Sequence, residues 1–258
     1  MYPEIELFNK TISTYGVMML VGIIAVVIYL KLKLKGKNDY PYIMTLIWGA
    51  VGAIIGSHLL YALTKLPLLV SILKHPEIIN SFDMFKSVFG LVFGGSVFYG
   101  GLIGGLIGGF LYLNKFRKAE KKEIIYLLTP AIPLFHGFAR IGCFLVGCCY
   151  GIESHLGFVY KNGIVEQANH VNRFPVQLVE SLCDFILFIV LNYFVNKVKL
   201  KDKLLYVYLI SYAVIRFGLE FLRDDSYRGF VGPLSTSQII SILLIAFSVV
   251  SIIKQRKK

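Results

Sequence analysis

Runs of apolar residues separated by short polar segments extend through almost the whole chain. Four runs contain no Asp, Glu, Lys or Arg and reach the roughly 20 residues that a helix needs to cross a bilayer. Three more runs carry ionisable side chains within an apolar stretch. The seven runs are residues 11–30, 40–64, 87–114, 124–147, 174–196, 204–222 and 229–253. This pattern predicts an all-α integral membrane protein with seven transmembrane helices.

The basic residues collect at alternate ends of these predicted helices. Of the 27 Lys and Arg residues, 17 lie in segments 31–39, 115–123 and 197–203 or after residue 253. Cytoplasmic loops carry an excess of Lys and Arg, so we expect the N-terminus outside and the C-terminus in the cytoplasm. The formal net charge of +12 is then mainly a signal of topology and does not indicate a nucleic-acid partner.

The composition excludes several classes of protein. The chain is 56% hydrophobic and 16% charged, whereas soluble domains average about 45–50% apolar and about 25% charged residues. The chain is too apolar to be disordered. Its four Cys are too few for a disulfide scaffold.

Two segments on the predicted outer side are long enough to form structures of their own. Segment 65–86 holds an apolar patch too short to span, so we expect an outer interfacial arm along the membrane surface. Segment 148–173 contains Gly and Asn and predicts a small external cap of strands and turns between the fourth and fifth spans. With no clear internal repeat, we expect residues 1–258 to form a single membrane domain.

The third predicted span carries a dense pattern of glycines. One stripe repeats every fourth residue, at Gly100, Gly104 and Gly108. On a helix such a stripe allows another helix to approach closely. The pairs Gly94-Gly95 and Gly100-Gly101 lie on either side of Tyr99. They either pack in the same way or break the helix and admit a ligand headgroup.

Several ionisable residues fall inside the weaker spans. A charge at the bilayer centre costs at least about 2.5–3.5 kcal/mol, so such residues usually face a cavity lined by water or protein. Arg216 and Glu220 are four residues apart and suit a structural ion pair. Arg140 and Arg216 also suit a lipid phosphate, because arginine binds phosphate with several donors at once. The residues themselves leave both interpretations open.

Six segments carry a resemblance to a known family. Segment 139–151, A-R-I-G-C-F-L-V-G-C-C-Y-G, resembles the signature G-R-I-G-N-F-x-N-G-E-x-x-G of the prolipoprotein diacylglyceryl transferases. The other five follow the order of that family's motifs: S-T-Y-G at 13–16, G-G-S-V-F-Y-G-G at 94–101, R-F-P-V-Q-L-V-E at 173–180, Y-A-V-I-R-F-G-L-E-F-L-R at 212–223 and S-T-S-Q at 235–238. Together they extend over almost the whole chain.

The resemblance implies a multi-pass enzyme of the bacterial cytoplasmic membrane that needs no metal and no organic cofactor. Its reaction moves the diacylglyceryl group of phosphatidylglycerol onto the lipobox cysteine of a prolipoprotein signal peptide. A thioether forms and glycerol phosphate leaves. The expected partners are phosphatidylglycerol, prolipoproteins with a lipobox cysteine and membrane lipid, with no nucleic acid.

The resemblance also assigns site residues. Arg140 and Arg216 would be catalytic at the phosphate, with Glu220 orienting Arg216 and Arg223 near the headgroup. The residues expected to bind or position the substrate are Tyr15, Gly94, Gly95, Gly100, Gly101, Cys143, Gly151, Gln177, Glu180, Tyr212, Glu220 and Arg223.

The chain departs from the family pattern at several of these positions. Tyr99 replaces the histidine of the family's H-G-G motif, and a tyrosine hydroxyl is a poor base at neutral pH. We still expect Tyr99 to be a catalytic residue, because its hydroxyl can donate a hydrogen bond. Cys143 replaces the signature asparagine and Cys148 the glutamate. A family arginine in the second span aligns with His58.

His136 offers a compensation for the missing histidine. It lies four residues before Arg140, so on a helix both side chains point the same way. The usual family sequence has a small residue there. Our hypothesis is that His136 acts as the catalytic base; the alternative is a hydrogen-bonded interior histidine.

Three of the four cysteines lie together at the outer end of the fourth span. A disulfide from Cys143 to Cys148 or Cys149 would hold the cap near the cavity. A metal site would recruit a histidine, and the candidates are His136, His155 and His170. The spacing is not a standard zinc pattern, so packing thiols or a disulfide are favoured and no metal is expected.

Three other functions compete with the transferase. A related enzyme would use the same phosphatidylglycerol site for a different acceptor. A thiol redox membrane protein would use Cys143, Cys148 and Cys149 with a quinone, but it would leave Arg140 and Arg216 unexplained. A transporter would also place charges at mid-membrane, but typically shows paired halves.

Overall fold

The computed structural model of the chain describes residues 1–7, 10–75, 79–195, 202–224 and 229–256. In these ranges the main elements are α-helices. The helices are α1 Thr14–Leu34, α2 Tyr40–Thr64, α3 Leu66–Lys74, α4 Phe82–Phe93, α5 Phe98–Phe116, α6 Lys121–Leu128, α7 Ala131–Val146, α8 Val176–Phe194, α9 Leu204–Leu219 and α10 Thr236–Arg256. The strands are β1 Glu4–Leu7, β2 Lys10–Ser13, β3 Glu153–Val159, β4 Asn172–Arg173, β5 Phe230–Val231 and β6 Leu234–Ser235, paired antiparallel as β1–β2, β3–β4 and β5–β6.

The helices confirm a multi-pass membrane protein. Six helical stretches of the described chain are long and apolar enough to cross a membrane, and the bent pair α4–α5 makes a seventh if it is one span. The second span begins and ends where the sequence predicted, and α6 with α7 forms the fourth. The location of the N-terminus outside and of the C-terminus in the cytoplasm stays a prediction. Residues 197–201, 225–228 and 257–258 of the loops and tail used to derive it lie outside the described residues.

Two predicted span boundaries are wrong, because short hairpins take the residues concerned. Strand β2 occupies the start of segment 11–30, and α1 begins at Thr14, whose Oγ1 donates a hydrogen bond to the carbonyl oxygen of Tyr2 at 2.7 Å. The last span begins at Thr236 and not at residue 229. There Ser235 N donates to Gln238 Oε1 at 3.0 Å and Gln238 N donates to Ser235 Oγ at 3.2 Å. This reciprocal capping box fixes the helix start.

The described chain forms two compact units, which are treated separately. The first comprises Met1–Lys37 and Lys122–Lys258, and the second comprises Asn38–Lys121. In the first unit the helices pack in the order α1, α7, α8, α9 and α10. Gly22 on α1 lies against Phe135 on α7, and Gly142 on α7 lies against Tyr15 on α1. Small residues thus let these two helices approach closely.

In the second unit, α2 and α5 are joined through facing glycines. A Cβ atom on Gly104 would clash with the carbonyl oxygen of Gly52, and one on Gly100 would clash with that of Gly56. The glycine stripe predicted on the third span is therefore a helix-packing surface. The sequence did not indicate that Gly52 and Gly56 on α2 would form the facing stripe.

The segment predicted as the third span contains a break, which is one of the two alternatives that its paired glycines left open. Helices α4 and α5 meet at an angle of 87° across the Gly94-Gly95 segment. His58 on α2 holds the break, because its Nδ1 lies 2.8 Å from the carbonyl oxygens of both Phe93 and Gly95. The break that the paired glycines allowed does occur. His58, which aligns with a family arginine, fixes the backbone at this break.

The two long outer segments form the local structures that the sequence suggested. Helix α3 covers the short apolar patch of segment 65–86. Segment 148–173 contains the β3–β4 pair and a small core of Tyr150, Tyr160 and Ala168. Their location on the outer side, and the single membrane domain, stay predictions.

Replacing Gly104 by Ala should destabilise the protein, whereas replacing Gly101 by Ala should not. A Cβ atom on Gly104 meets the backbone of α2, while one on Gly101 would lie 3.6 Å from the nearest atom, the carbonyl oxygen of Ala53. Both changes improve helix propensity equally, so the difference isolates the close approach. We expect a loss of about 1–3 kcal/mol for Gly104→Ala, measured by thermal unfolding in detergent. Equal unfolding midpoints for the two variants would contradict the packing.

Candidate active site

Two buried charge pairs join helices α7 and α8. Arg140 Nη2 donates to Glu180 Oε1 at 2.9 Å, and His136 Nδ1 lies 2.8 Å from Asp184 Oδ2. Each helix presents its two residues four positions apart, which places them on one face. The pairing of the earlier α7 residue with the later α8 residue shows that the helices run in opposite directions. All four side chains are buried.

Helix α9 adds further polar groups to Glu180. The Tyr212 hydroxyl donates to Glu180 Oε1 at 3.1 Å, and Arg216 Nη1 lies 3.9 Å from Glu180 Oε2. Arg216 Nη2 lies 2.7 Å from Glu220 Oε2 and donates to Ser237 Oγ at 3.3 Å. We call Arg140, Glu180, Tyr212, Arg216 and Glu220 the Glu180 cluster. Its residues come from α7, α8, α9 and the short 3-10 helix Glu220–Leu222 that follows α9.

The two arginines of the Glu180 cluster are balanced by two carboxylates of the same cluster. Their exposed fractions are 6% for Arg140 and 4% for Arg216. A buried ion is costly unless it is paired and hydrogen-bonded. The ion-pair interpretation of the sequence therefore describes what the structure contains. The presence of two arginines within the spans therefore does not by itself indicate phosphate binding.

One N–H group on each arginine nevertheless has no hydrogen-bond acceptor in the described part of the chain. These atoms are Arg140 Nε and Arg216 Nη1, and both are shielded from solvent. Leaving a buried donor unsatisfied costs about 1–3 kcal/mol, and more for a charged group. An anion with several oxygens would satisfy both. The charges of the two arginines and the two glutamates in the cluster therefore balance, but two guanidinium N–H donors have no acceptor.

His136 is positioned by a residue to which the sequence analysis gave no role. Asp184 contacts its Nδ1, and the His136 ring stands edge-on to Tyr212 with 5.4 Å between centroids. His136 thus adjoins the Glu180 cluster through Tyr212. The four-residue spacing of Glu180 and Asp184, matching that of His136 and Arg140, was the signal that could have revealed this pair.

Gln177 joins the C-terminal end of α7 to the cap. Its Nε2 donates to the carbonyl oxygen of Cys148 at 2.7 Å, and its Oε1 accepts from the Tyr160 hydroxyl at 3.1 Å. Burial raises the pKa of Tyr160 to about 12, so its hydroxyl stays protonated and remains a donor. Gln177 is a positioning residue in this structure and contacts neither arginine of the Glu180 cluster in any described hydrogen bond.

Arg173 locks the cap to the segment after α9. It contacts Asp224 at 2.8 Å, donates to the carbonyl oxygen of Gly151 at 3.2 Å and stacks over the Tyr150 ring. Gly151 also forms a backbone bridge with Arg223, and a Cβ atom there would clash with the carbonyl oxygen of Phe174. This packing explains the glycine at 151. It places Arg223, which is 8% exposed, beside the cap.

The cysteines gather without a disulfide. The Sγ atoms of Cys143, Cys148 and Cys149 all lie within 4.8 Å of one another, and the three residues are free thiols. None of the histidines considered as further ligands joins this group among the described residues. Arg140 Nη1 lies 3.9 Å from Cys143 Sγ, so the thiols adjoin the Glu180 cluster.

The remaining expected site residues belong to two places. Tyr15 lies on α1 against Gly142 of α7, in the first unit. Tyr99 is buried in α5 of the second unit, with the paired glycines at 94, 95, 100 and 101 near or in the break.

Replacing Glu180 by Gln should strongly destabilise the protein, because both arginines would lose a buried counter-charge. Breaking a buried pair costs about 3–5 kcal/mol. The matched control is Glu120→Gln, which removes an exposed partner of Arg117 and should cost no more than about 1 kcal/mol. Thermal unfolding in detergent compares them. Similar unfolding midpoints would show that Glu180 does not hold the cluster.

Sequence comparisons agree on one family. A family model described as prolipoprotein diacylglyceryl transferase matches residues 4–254. A protein named phosphatidylglycerol–prolipoprotein diacylglyceryl transferase from Clostridium tetani is 36% identical over 248 residues, covering 95% of this chain and 93% of its own. A second such transferase, from Clostridium perfringens, is 36% identical over 244 residues, covering 93% and 90%. One from Finegoldia magna is 28% identical over 260 residues, covering 98% and 95%.

These relatives give no support to the thiol redox alternative, because all of them are named as transferases. The family model carries the same family name as the one that the six motifs resemble. With a family match over nearly its whole length, this chain belongs to the prolipoprotein diacylglyceryl transferase family.

Proposed function

We propose that this protein transfers the diacylglyceryl group of phosphatidylglycerol to the lipobox cysteine of prolipoproteins in the bacterial cytoplasmic membrane. Family membership supports the reaction class. The observation that carries the proposal is the pair of buried arginine donors without acceptors, Arg140 Nε and Arg216 Nη1.

The reaction makes two demands on the site. The thiol sulfur attacks the glycerol carbon that carries the phosphate oxygen, so a carbon–sulfur bond forms and the carbon–oxygen bond breaks. The bonding electrons leave with glycerol phosphate, whose oxygens gain negative charge. The thiol must also lose its proton, because the thiolate is the nucleophile. The site therefore needs fixed donors at the phosphate and an acceptor for one proton.

Arg140 and Arg216 are suited to the phosphate. Glu180 and Glu220 bind one side of each guanidinium group and fix its orientation. The unmet N–H groups are then available to the phosphate oxygens. Donors that are already oriented in a dry site stabilise developing charge most effectively, because they need no reorganisation during the reaction. Arg223 beside the cap adds positive charge near this place.

His136 is the proposed proton acceptor, and Asp184 positions it. A carboxylate at Nδ1 favours the tautomer that carries its proton there, which leaves Nε2 as the basic nitrogen. This arrangement supplies the base that the family histidine, replaced here by Tyr99, would otherwise provide. The half-exposed Tyr15 is the further substrate-binding residue that we propose in the first unit. The roles of Tyr99 and of the paired glycines, in the second unit, stay predictions.

Replacing Arg140 or Arg216 by Lys should lower transfer by about 100–1,000-fold, the loss typical of one oxyanion donor. Lysine keeps the charge but lacks the planar fork that reaches two acceptors. The measurement is transfer of label from phosphatidylglycerol to a lipobox peptide in detergent. The matched control is Arg117→Lys, on a partly exposed arginine outside the Glu180 cluster, which should leave transfer unchanged.

Two outcomes of that assay would contradict the proposal. Near-normal transfer in Arg140→Lys and Arg216→Lys would remove the arginines from the phosphate site. Release of the headgroup by the unaltered protein, with no label on the peptide, would instead indicate a related transferase with a different acceptor.

Replacing His136 by Gln should lower kcat by about 100–10,000-fold, the contribution typical of a general base, while KM for phosphatidylglycerol stays close to its original value. Asp184→Asn should lower kcat by a smaller factor, because it disturbs only the orientation of the ring. Added imidazole should restore part of the activity of His136→Ala, which a purely structural histidine would not allow. The control is His155→Gln, on the exposed surface of the cap. Near-normal kcat in His136→Gln would exclude the base assignment.

A further inference from the structure

The backbone after α7 folds back so that three thiols meet. Gly147 takes a left-handed conformation with φ of 83° and ends the helix. The amide nitrogens of Gly147 and Cys148 both donate to the carbonyl oxygen of Cys143, at 3.0 Å and 3.1 Å. This turn returns the chain toward the last turn of α7, where Cys143 lies. Three sulfur atoms from a seven-residue segment then lie within 4.8 Å of one another.

Cys149 occupies a backbone conformation that its residue type rarely adopts. Its φ is 56°, in the left-handed region where Gly, Asn and Asp are the usual residues. A strained residue of this kind costs about 1–3 kcal/mol and persists only where its surroundings hold it. The strain brings the third sulfur into the group, which points to a role for the thiol itself.

The spacing of the three sulfur atoms suits a common metal ion. With metal–sulfur bonds of about 2.3 Å, three sulfurs around one ion stand about 3.8–4.0 Å apart. The observed limit of 4.8 Å requires only rotation of the side chains to reach that geometry. Cys143 is buried, whereas Cys148 and Cys149 are partly exposed, so an ion can reach the group from one side.

Positive charge lies beside the three thiols. Arg140 Nη1 lies 3.9 Å from Cys143 Sγ, and Arg223 interacts electrostatically with Cys149. Thiolates select soft ions such as Cu⁺ and Zn²⁺ over hard ones such as Mg²⁺ and Ca²⁺. Two arginines also offset part of the negative charge that three thiolates would leave around a singly or doubly charged ion.

We propose that Cys143, Cys148 and Cys149 form a trithiolate site for a soft, thiol-binding metal ion. No His, Asp or Glu of the described residues completes the group, so the ion would have three protein ligands and a fourth position open to water. Bound metal would fasten the start of the cap to the end of α7, beside the Glu180 cluster. This site is independent of the transfer reaction, and its test does not use activity.

The test is a titration of the full-length, reduced protein in detergent with Cd²⁺, a spectroscopic substitute for softer physiological ions. Thiolate-to-cadmium charge transfer absorbs in the ultraviolet, and we expect it to rise linearly to one Cd²⁺ per chain. Cys148→Ser and Cys149→Ser should each weaken binding by more than about 100-fold, since losing even an outer-shell partner of a metal costs about 10–100-fold. Cys183→Ser, on α8 outside the group, is the matched control and should bind Cd²⁺ as the unaltered protein does.

A second measurement needs no variant and so does not depend on whether the variants fold. One equivalent of Cd²⁺ should protect three thiols from alkylation by a maleimide and leave Cys183 reactive, as counted by intact mass. Absence of protection, or the same Cd²⁺ affinity in Cys148→Ser and Cys149→Ser, would overturn the proposal. So would a disulfide among the three cysteines that persists in the protein as isolated from the membrane.

Discussion

A single buried carboxylate, Glu180, holds together the polar interior of the first unit. It accepts from Arg140 on α7 and from Tyr212 on α9, and Arg216 lies within ion-pairing distance. Two guanidinium groups in an apolar interior would be costly without it, since a buried charge needs both a counter-charge and hydrogen bonds. Three helices that have little reason to meet through apolar packing alone are thereby fixed around one point. The motifs of segments 139–151, 173–180 and 212–223 are distant in sequence and meet at this residue.

The antiparallel packing of α7 against α8 arranges the chemistry in layers along the helix axes. Gln177, Glu180 and Asp184 follow one another at about one turn of α8 and engage in turn the end of α7, Arg140 and His136. The outermost contact ties the cap to the helices. The middle one carries the proposed phosphate donors, and the deepest one carries the proposed base.

The second unit is held together by close packing of glycines. Its helices α2 and α5 approach until backbone meets backbone, which no side chain could allow. Such contact replaces the hydrophobic driving force that lipid does not provide between apolar helices. The same helix α2 supplies His58, whose Nδ1 binds the carbonyls freed where the third span breaks. Exposed backbone inside a membrane requires such a partner.

The sequence indicated the helical multi-pass class, the family and the two arginines of interest, because these depend on local hydrophobicity and on short motifs. It could not determine that Asp184 faces His136, that His58 binds Phe93 and Gly95, or that three cysteines meet. Those contacts depend on which helix faces which, and on where a helix ends. The starts of α1 and α10 were misplaced for a related reason: residues 11–13 and 229–235 carry no charge, and only hydrogen bonds made in the folded chain decide that they belong to hairpins. The length and hydrophobicity of a segment decide whether it can cross a membrane. The groups that pair with a buried charged side chain are decided only when tertiary packing brings the helices together.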